Sequence, residues 1–477
     1  MNVAAPDKSS TALSALSKLL GSRGYLDQAE DMQKYVCDWY GRSRGEALAV
    51  VRPTTTEEVV EIVNICGAAN IGLVPQGGNT GLVHGGIPTE QLDCIVISMD
   101  RMTSIRSIDP DNFTMVAEAG CIVQKVQEAA AEVGRLYPLS LSSQGSSTVG
   151  GTISTNAGGN NTLRFGNARE QVLGLEVVLA DGTIFDGLNT LRKNNTGYDL
   201  KQLFIGGEGT LGIITAAAVR LMPGPKQMQT ALLAVTDPSA AQKLLSRSRE
   251  VSGDLVLAFE LMPRTCLDIV IKHIDGVSDP LDSVSPWYVL IELSTSSEVD
   301  DLRAKLDAIL EESMTEGWVT DGVIAESEQQ RATLWRIREE QAEAGKREGR
   351  DTSADVSVPV SQVAEFLKAS MDELETEVPG VRLSPFGLMG DGNIHYVIYK
   401  PAEMADEVWA QRKGDALERV HQQVYKIRGS FSAEHGIGAM KREDLLRFAE
   451  PSRIAMMHAV KAAIDPNNIM NPGKIFK

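Results

Sequence analysis

From residue 47 onward, short apolar runs alternate with segments whose apolar positions recur every three or four residues. Runs 47–53 (ALAVVRP), 71–76 (IGLVPQ), 94–99 (CIVISM) and 113–120 (FTMVAEAG) read as strands. Between them, 55–70 (TTEEVVEIVNICGAAN) and 123–134 (VQKVQEAAAEVG) read as helical. Ahead of them, Leu13, Leu16 and Leu20 are spaced as one face of an amphipathic helix over 9–24. Further on, ALLAV at 231–235, LVLAFEL at 255–261 and WYVLIEL at 287–293 alternate with acidic helical text such as 299–314. The pattern predicts an α+β protein, with a boundary at Met222-Pro-Gly-Pro-Lys226, where proline and glycine cluster.

Between the periodic elements lie three glycine-rich segments. Pro75–Gly86 (PQGGNTGLVHGG) follows an apolar run directly, and its glycines let backbone N–H groups converge on a phosphate without side chains in the way. Its spacing fits neither the GxGxxG fingerprint nor a Walker loop. Ser142–Gly159 is almost free of charge and dense in small hydroxyl residues, as backbone lying against a large polar ligand would be. Asn195–Ile214 ends in Gly206-Gly-Glu-Gly-Thr-Leu-Gly212 running into a β-branched strand. Three such segments in the first half of one chain argue against turns alone.

The chain has 477 residues, enough for several cores, and a net charge of -18, which disfavours nucleic acid and anionic membrane as partners. No run reaches the roughly 20 apolar residues of a membrane span, and the N-terminus lacks a secretory pattern, so the expected location is the cytosol. Five scattered cysteines without a CxxC indicate reduced thiols. In the last quarter, Phe386–His395 (FGLMGDGNIH) and Ser432–Gly438 (SAEHGIG) concentrate ionisable groups among glycines, which suits a reaction centre.

PQGGNTGLVHGG, GGTISTNAGG and FIGGEGTLGIIT resemble the flavin-binding elements of the vanillyl-alcohol oxidase and p-cresol methylhydroxylase superfamily. Within it, the chain is most similar to the D-2-hydroxyacid dehydrogenase branch of D-lactate, glycolate and D-2-hydroxyglutarate dehydrogenases. The resemblance implies non-covalent FAD in a two-part domain, roofed by an antiparallel-sheet substrate domain with helices on one face. The implied divisions are a helical segment at 1–43, the FAD domain at 44–223, the substrate domain at 224–430 and a returning segment at 431–477. His84, the one histidine in a flavin segment, lies beyond the position that superfamily members use for covalent attachment. The implied cofactor residues are Pro75, Gly77, Gly78, Asn79, Thr80, Gly81 and Leu82; Gly145, Ser146, Ser147, Val149, Gly150, Gly151, Ser154, Thr155 and Gly158; and Glu208, Gly212, Ile213, Ile214 and Asn471.

By the same resemblance, His435 is the base that removes a hydroxyl proton, with Glu434 and His395 beside it, and Arg338 clamps a substrate carboxylate. An ordinary charged-helix pairing is the alternative for Arg338. The relatives' metal-binding pattern is broken: Leu388 and Val397 replace a histidine and an asparagine, leaving His395 and Glu434, fewer than the three ligands a catalytic zinc wants. No metal is therefore expected. Ser353 stands in place of a usual lysine, and Ala342, read as part of the Arg338 helix, in place of a hydroxyl residue. These changes point to a 2-hydroxy acid that is lactate-like or more apolar, rather than a dicarboxylate. A non-acid alcohol or amine, and a catalytically silent flavin binder, are the alternatives. The electron acceptor, whether flavoprotein, cytochrome, quinone or oxygen, is not encoded legibly, and a homodimer is the default assembly.

Overall fold

The computed structural model describes residues 8–88, 93–349 and 352–476; the first seven residues, on which the N-terminal reading partly rests, lie outside them. It divides into two compact units: Met1–Gly159, Gly166–Gly224 and Glu434–Lys477 form the first, Asn160–Phe165 and Pro225–Ala433 the second.

The first unit holds two main sheets. In one, Ala49–Val51, Cys94–Ser98 and Gly72–Gln76 run parallel, with Tyr25–Leu26 antiparallel at the edge. In the other, Ile105–Asp109, Thr114–Glu118, Ile213–Arg220, Val172–Val178 and Ile184–Asp186 are antiparallel. Helix Thr56–Ala69 starts where Thr55 accepts from the Glu58 amide, and ends on Asn70 at φ 56°, a residue type that tolerates the left-handed cap. Its Val59, Ile62 and Val63 join residues of both sheets in one core. Helix Lys8–Gly24 adds Leu16 to that core, but its regular turns stop at Gly21, whose φ of 62° breaks the continuous helix expected to 24. The C-terminal segment returns to the parallel sheet: Leu73 donates to Ile469 O (2.7 Å), and Asn471 donates to Leu73 O (2.7 Å).

The second unit is a seven-stranded antiparallel sheet in the order Val319–Ile324, Gln227–Val235, Trp287–Thr295, Val256–Pro263, Arg382–Leu388, Asn393–Tyr399, Thr352–Ser357. Helices cover both of its faces, not one. Pro238–Ser252, Leu302–Thr315, Val363–Glu377 and Asp406–Lys426 pack against one side, and Arg264–His273, Glu328–Glu339 and Gln341–Arg347 against the other. The cause is in the strands, where runs such as WYVLIEL are buried at every position and need apolar cover on both sides. The excursion 160–165 also belongs here: Leu163 packs on the core and Arg164 donates to Ser294 O (2.5 Å).

Candidate functional site

In the first unit the three glycine-rich segments meet. A Cβ on Gly78 would lie 1.9 Å from Ser146 O, and one on Gly77 2.2 Å from Thr148 Oγ1, so only glycine lets the first loop press against the second. Thr80 Oγ1 and Ser147 Oγ share a 3.0 Å hydrogen bond across that seam, while Gly81 faces open space. Val149 and Gly150 open the short helix Val149–Ser154, their amides donating to Cys121 O and Ala119 O. The third segment closes on the second, Glu208 N donating to Ser154 O (2.8 Å) and Gly206 N to Ile153 O (3.0 Å). Arg169, which sequence reasoning missed, reinforces this contact, donating to Ile205 O (2.7 Å) while its amide donates to Asn156 Oδ1. Ile213 and Ile214 bury their side chains in the core, so what they offer a ligand is backbone.

Glu208 does more than line a loop. It is buried in the left-handed region at φ 50°, and its carboxylate accepts from the amides of Ile437 (2.7 Å) and Gly438 (2.7 Å). The segment that carries Glu434 and His435 is thereby fastened to the third loop. Asn471 completes the tie, donating from Nδ2 to Gly85 O (3.0 Å) and Glu208 O (2.7 Å). Within the segment, His435 Nε2 lies 3.6 Å from Glu434 Oε1, both side chains about a quarter exposed. Burial raises the Glu208 carboxyl above its ordinary range, while the two amides oppose that shift by favouring the charged form.

Removing this anchor has a calculable cost. Glu208→Ala strands a buried amide donor at Gly438 and a part-buried one at Ile437, a buried donor being worth about 1–3 kcal/mol when unsatisfied and a part-buried one less. Thermal unfolding of the holoprotein should show a loss of about 2–5 kcal/mol, with faster amide exchange over 436–440. Glu208→Gln, which keeps one acceptor oxygen, should lose roughly half as much. Unchanged exchange in both variants would refute the anchoring role.

The second unit holds the other residues singled out from sequence. Glu260, fully buried on strand Val256–Pro263, lies 2.7 Å from Arg338 Nε, and the guanidinium covers the Phe386 ring at 4.9 Å. Arg338 therefore pairs across to a strand. Seven residues earlier, on the same helical face, Arg331 grips a second buried acid, Glu292, at 2.6 and 2.9 Å, and Trp335 donates to the same carboxylate (2.9 Å). Two ion pairs to buried acids thus dock helix Glu328–Glu339 on the sheet. The helix stops there, since Glu340 separates it from Gln341–Arg347, so Ala342 is not on the Arg338 helix and is exposed.

His395 stacks near Phe386 with ring centroids 5.3 Å apart, and its Nδ1 lies 3.9 Å from Asp355 Oδ1. Asp355 also accepts from Asn393 Nδ2 (2.9 Å), a partner that the sequence did not single out. Nearby, burial first and Glu260 second push the Asp391 carboxyl up to about 6. Leu388 and Val397 are buried, Val397 in the core with Phe386 and Ile337, whereas Ser353 is exposed on the edge strand.

The loops of the first unit fit FAD: glycine backbone open at Gly81, small hydroxyls along the seam, and two buried polar atoms, Asn471 Oδ1 and Lys474 Nζ, with no hydrogen-bond partner among the described residues. Known proteins agree. Residues 47–187 match the FAD binding domain model, and 224–475 match the model of FAD linked oxidases, C-terminal domain. A probable D-2-hydroxyglutarate dehydrogenase, mitochondrial, of Oryza sativa subsp. japonica is 39% identical over 97% of this chain and 81% of its own length. A putative D-lactate dehydrogenase, mitochondrial, of Schizosaccharomyces pombe is 36% identical over 93% of this chain and 84% of its own. Among solved structures, p-cresol methylhydroxylase with substrate bound matches at TM-score 0.75 and 16% identity, covering 99% of this chain and 97% of that one, a likeness of fold. The cytosolic location expected from the N-terminus is overturned by the mitochondrial relatives from rice, Arabidopsis thaliana and cattle. No helix among the described residues is long and apolar enough to cross a membrane. With one family model spanning 224–475 and relatives above 35% identity along nearly the whole sequence, the chain belongs to the FAD-linked oxidases that include D-2-hydroxyglutarate and D-lactate dehydrogenases.

Proposed function

We propose that the protein oxidises a D-2-hydroxy acid to the 2-oxo acid. The observation that carries this reading is the fastening of the His435 segment, through Glu208 and Asn471, to the first and third cofactor loops. A base is thereby built into the cofactor site, not left on a free loop. Bound FAD supplies the acceptor for the hydride that leaves the substrate's C2. The loops 75–82 and 145–158 would hold the dinucleotide through backbone and hydroxyl groups, and Asn471 would present Oδ1. His435 takes the proton of the substrate hydroxyl, with Glu434 Oε1 at 3.6 Å favouring the imidazolium that forms. Arg338 binds the substrate carboxylate, its direction set by Glu260 and Phe386.

The substrate range is read from the same residues. With Leu388 and Val397 buried and Ser353 carrying no charge, a lactate-like or more apolar acid suits this unit better than a dicarboxylate. Anaerobic mixing of the holoprotein with a panel of D- and L-2-hydroxy acids tests this. D-Lactate or an apolar D-2-hydroxy acid should bleach the flavin faster than D-2-hydroxyglutarate, and the L forms should leave it oxidised. A panel that bleaches nothing sinks the enzyme reading, and D-2-hydroxyglutarate as the fastest substrate sinks the substrate preference.

A further inference from the structure

Lys474 is 2% exposed, and its Nζ has no hydrogen-bond partner among the described residues. Its backbone surroundings are fixed on both sides: Arg442 donates to Gly473 O (2.9 Å), and Ile475 donates to Gly438 O (2.9 Å). Three residues earlier, Asn471 is spanned between Gly85 and Glu208, with its amide oxygen unspent. Lys474 feels the charge of Glu208, but that carboxylate is already committed to the amides of Ile437 and Gly438. A buried ammonium without a counter-charge is costly, several kcal/mol after relaxation. Burial accordingly pulls this lysine down to about 8, which still leaves it mostly protonated at neutral pH. The charge complement this site lacks is an anion.

We propose that Lys474 is the cation that stabilises the reduced flavin ring. The assignment to the ring, in place of the pyrophosphate, follows from what holds the lysine. Its segment is tied through Asn471 to Glu208 and through Ile475 to Gly438, the same framework that anchors His435. It rests on the reading of His435 as the base at the reacting end of the site. Hydride transfer adds two electrons and one proton to a neutral ring and leaves one negative charge on it, while the substrate's hydroxyl proton goes to His435. A fixed ammonium beside that charge shifts the reduction equilibrium toward the reduced form.

The test uses the FAD-loaded protein and needs no substrate. Lys474→Met should lower the two-electron midpoint potential by at least about 30 mV, a tenfold shift in the equilibrium. Affinity for sulfite, read from flavin bleaching, should fall by a comparable factor. Lys474→Arg should retain most of both. Lys474→Gln, neutral but polar, repeats the measurement should the methionine variant fold poorly. An unchanged potential and sulfite affinity in the neutral variants overturns the proposal. So does a large loss of FAD affinity with unchanged potential in the saturated protein, which would assign the lysine to the pyrophosphate. Because the potential is measured without turnover, failure here is distinct from failure of the hydroxy-acid reading.

Discussion

Alanine at position 435 is expected to slow flavin reduction by a bleaching D-2-hydroxy acid by roughly 10²–10⁴-fold, the usual worth of a positioned general base. FAD affinity should be unchanged. The separation follows from the way the segment is held. Glu208 bonds the backbone amides of Ile437 and Gly438, not the imidazole, so cutting the side chain leaves the anchor intact. Glu434 then loses its neighbour but stays partly exposed, and no buried charge is stranded. Anaerobic stopped-flow bleaching at saturating substrate is the measurement. His395→Asn is the control, because His395 is the other histidine of the reaction-centre segments, placed in the second unit beside Asp355 and Phe386. If His435→Ala reduces the flavin at the parent rate while His395→Asn does not, the base has been assigned to the wrong histidine.

The loops were legible because their demand is local. Gly77 and Gly78 are required by contacts that any Cβ would violate, and such positions write themselves into sequence as glycine. Strand and helix identity in both units followed equally well from apolar spacing. Helix placement did not, although the signal was present: strands such as Trp287–Thr295 lack the polar alternation of a half-exposed sheet, and that implies cover on both faces. Long-range pairings are a different matter. Glu208 meets the Ile437 amide across 229 residues, and no local pattern announces it. The Arg338 partner lies between these cases. A lone glutamate inside the apolar run LVLAFEL, and another inside WYVLIEL, are each costly unless paired, so Glu260 and Glu292 were flags for two partner cations. Arginines at 331 and 338, seven apart on one helical face, are the two that answer.

That pairing makes Arg338 a structural residue before it is a binding one, and Arg338→Met should reveal both roles. Removing one partner of a buried pair leaves the other uncompensated, at about 3–5 kcal/mol. Here the stranded group is Glu260, fully buried in mid-sheet, with Asp391 already held at about 6 by burial and by Glu260's charge. With Arg338 gone, the uncompensated negative charge near Asp391 raises that carboxyl further. The deficit, measured by urea unfolding of the holoprotein, is therefore expected to be larger at pH 8 than at pH 5. The double variant Glu260→Gln/Arg338→Met should recover most of the loss, since it removes the stranded charge and not merely its partner. Arg338→Lys separates the two roles. It keeps a positive charge for Glu260 but gives up the planar fork that grips a carboxylate bidentately, so stability should largely persist while KM for the hydroxy acid rises. A lysine variant with parental KM would leave Arg338 as a docking residue of its helix alone, and the substrate carboxylate would need another partner.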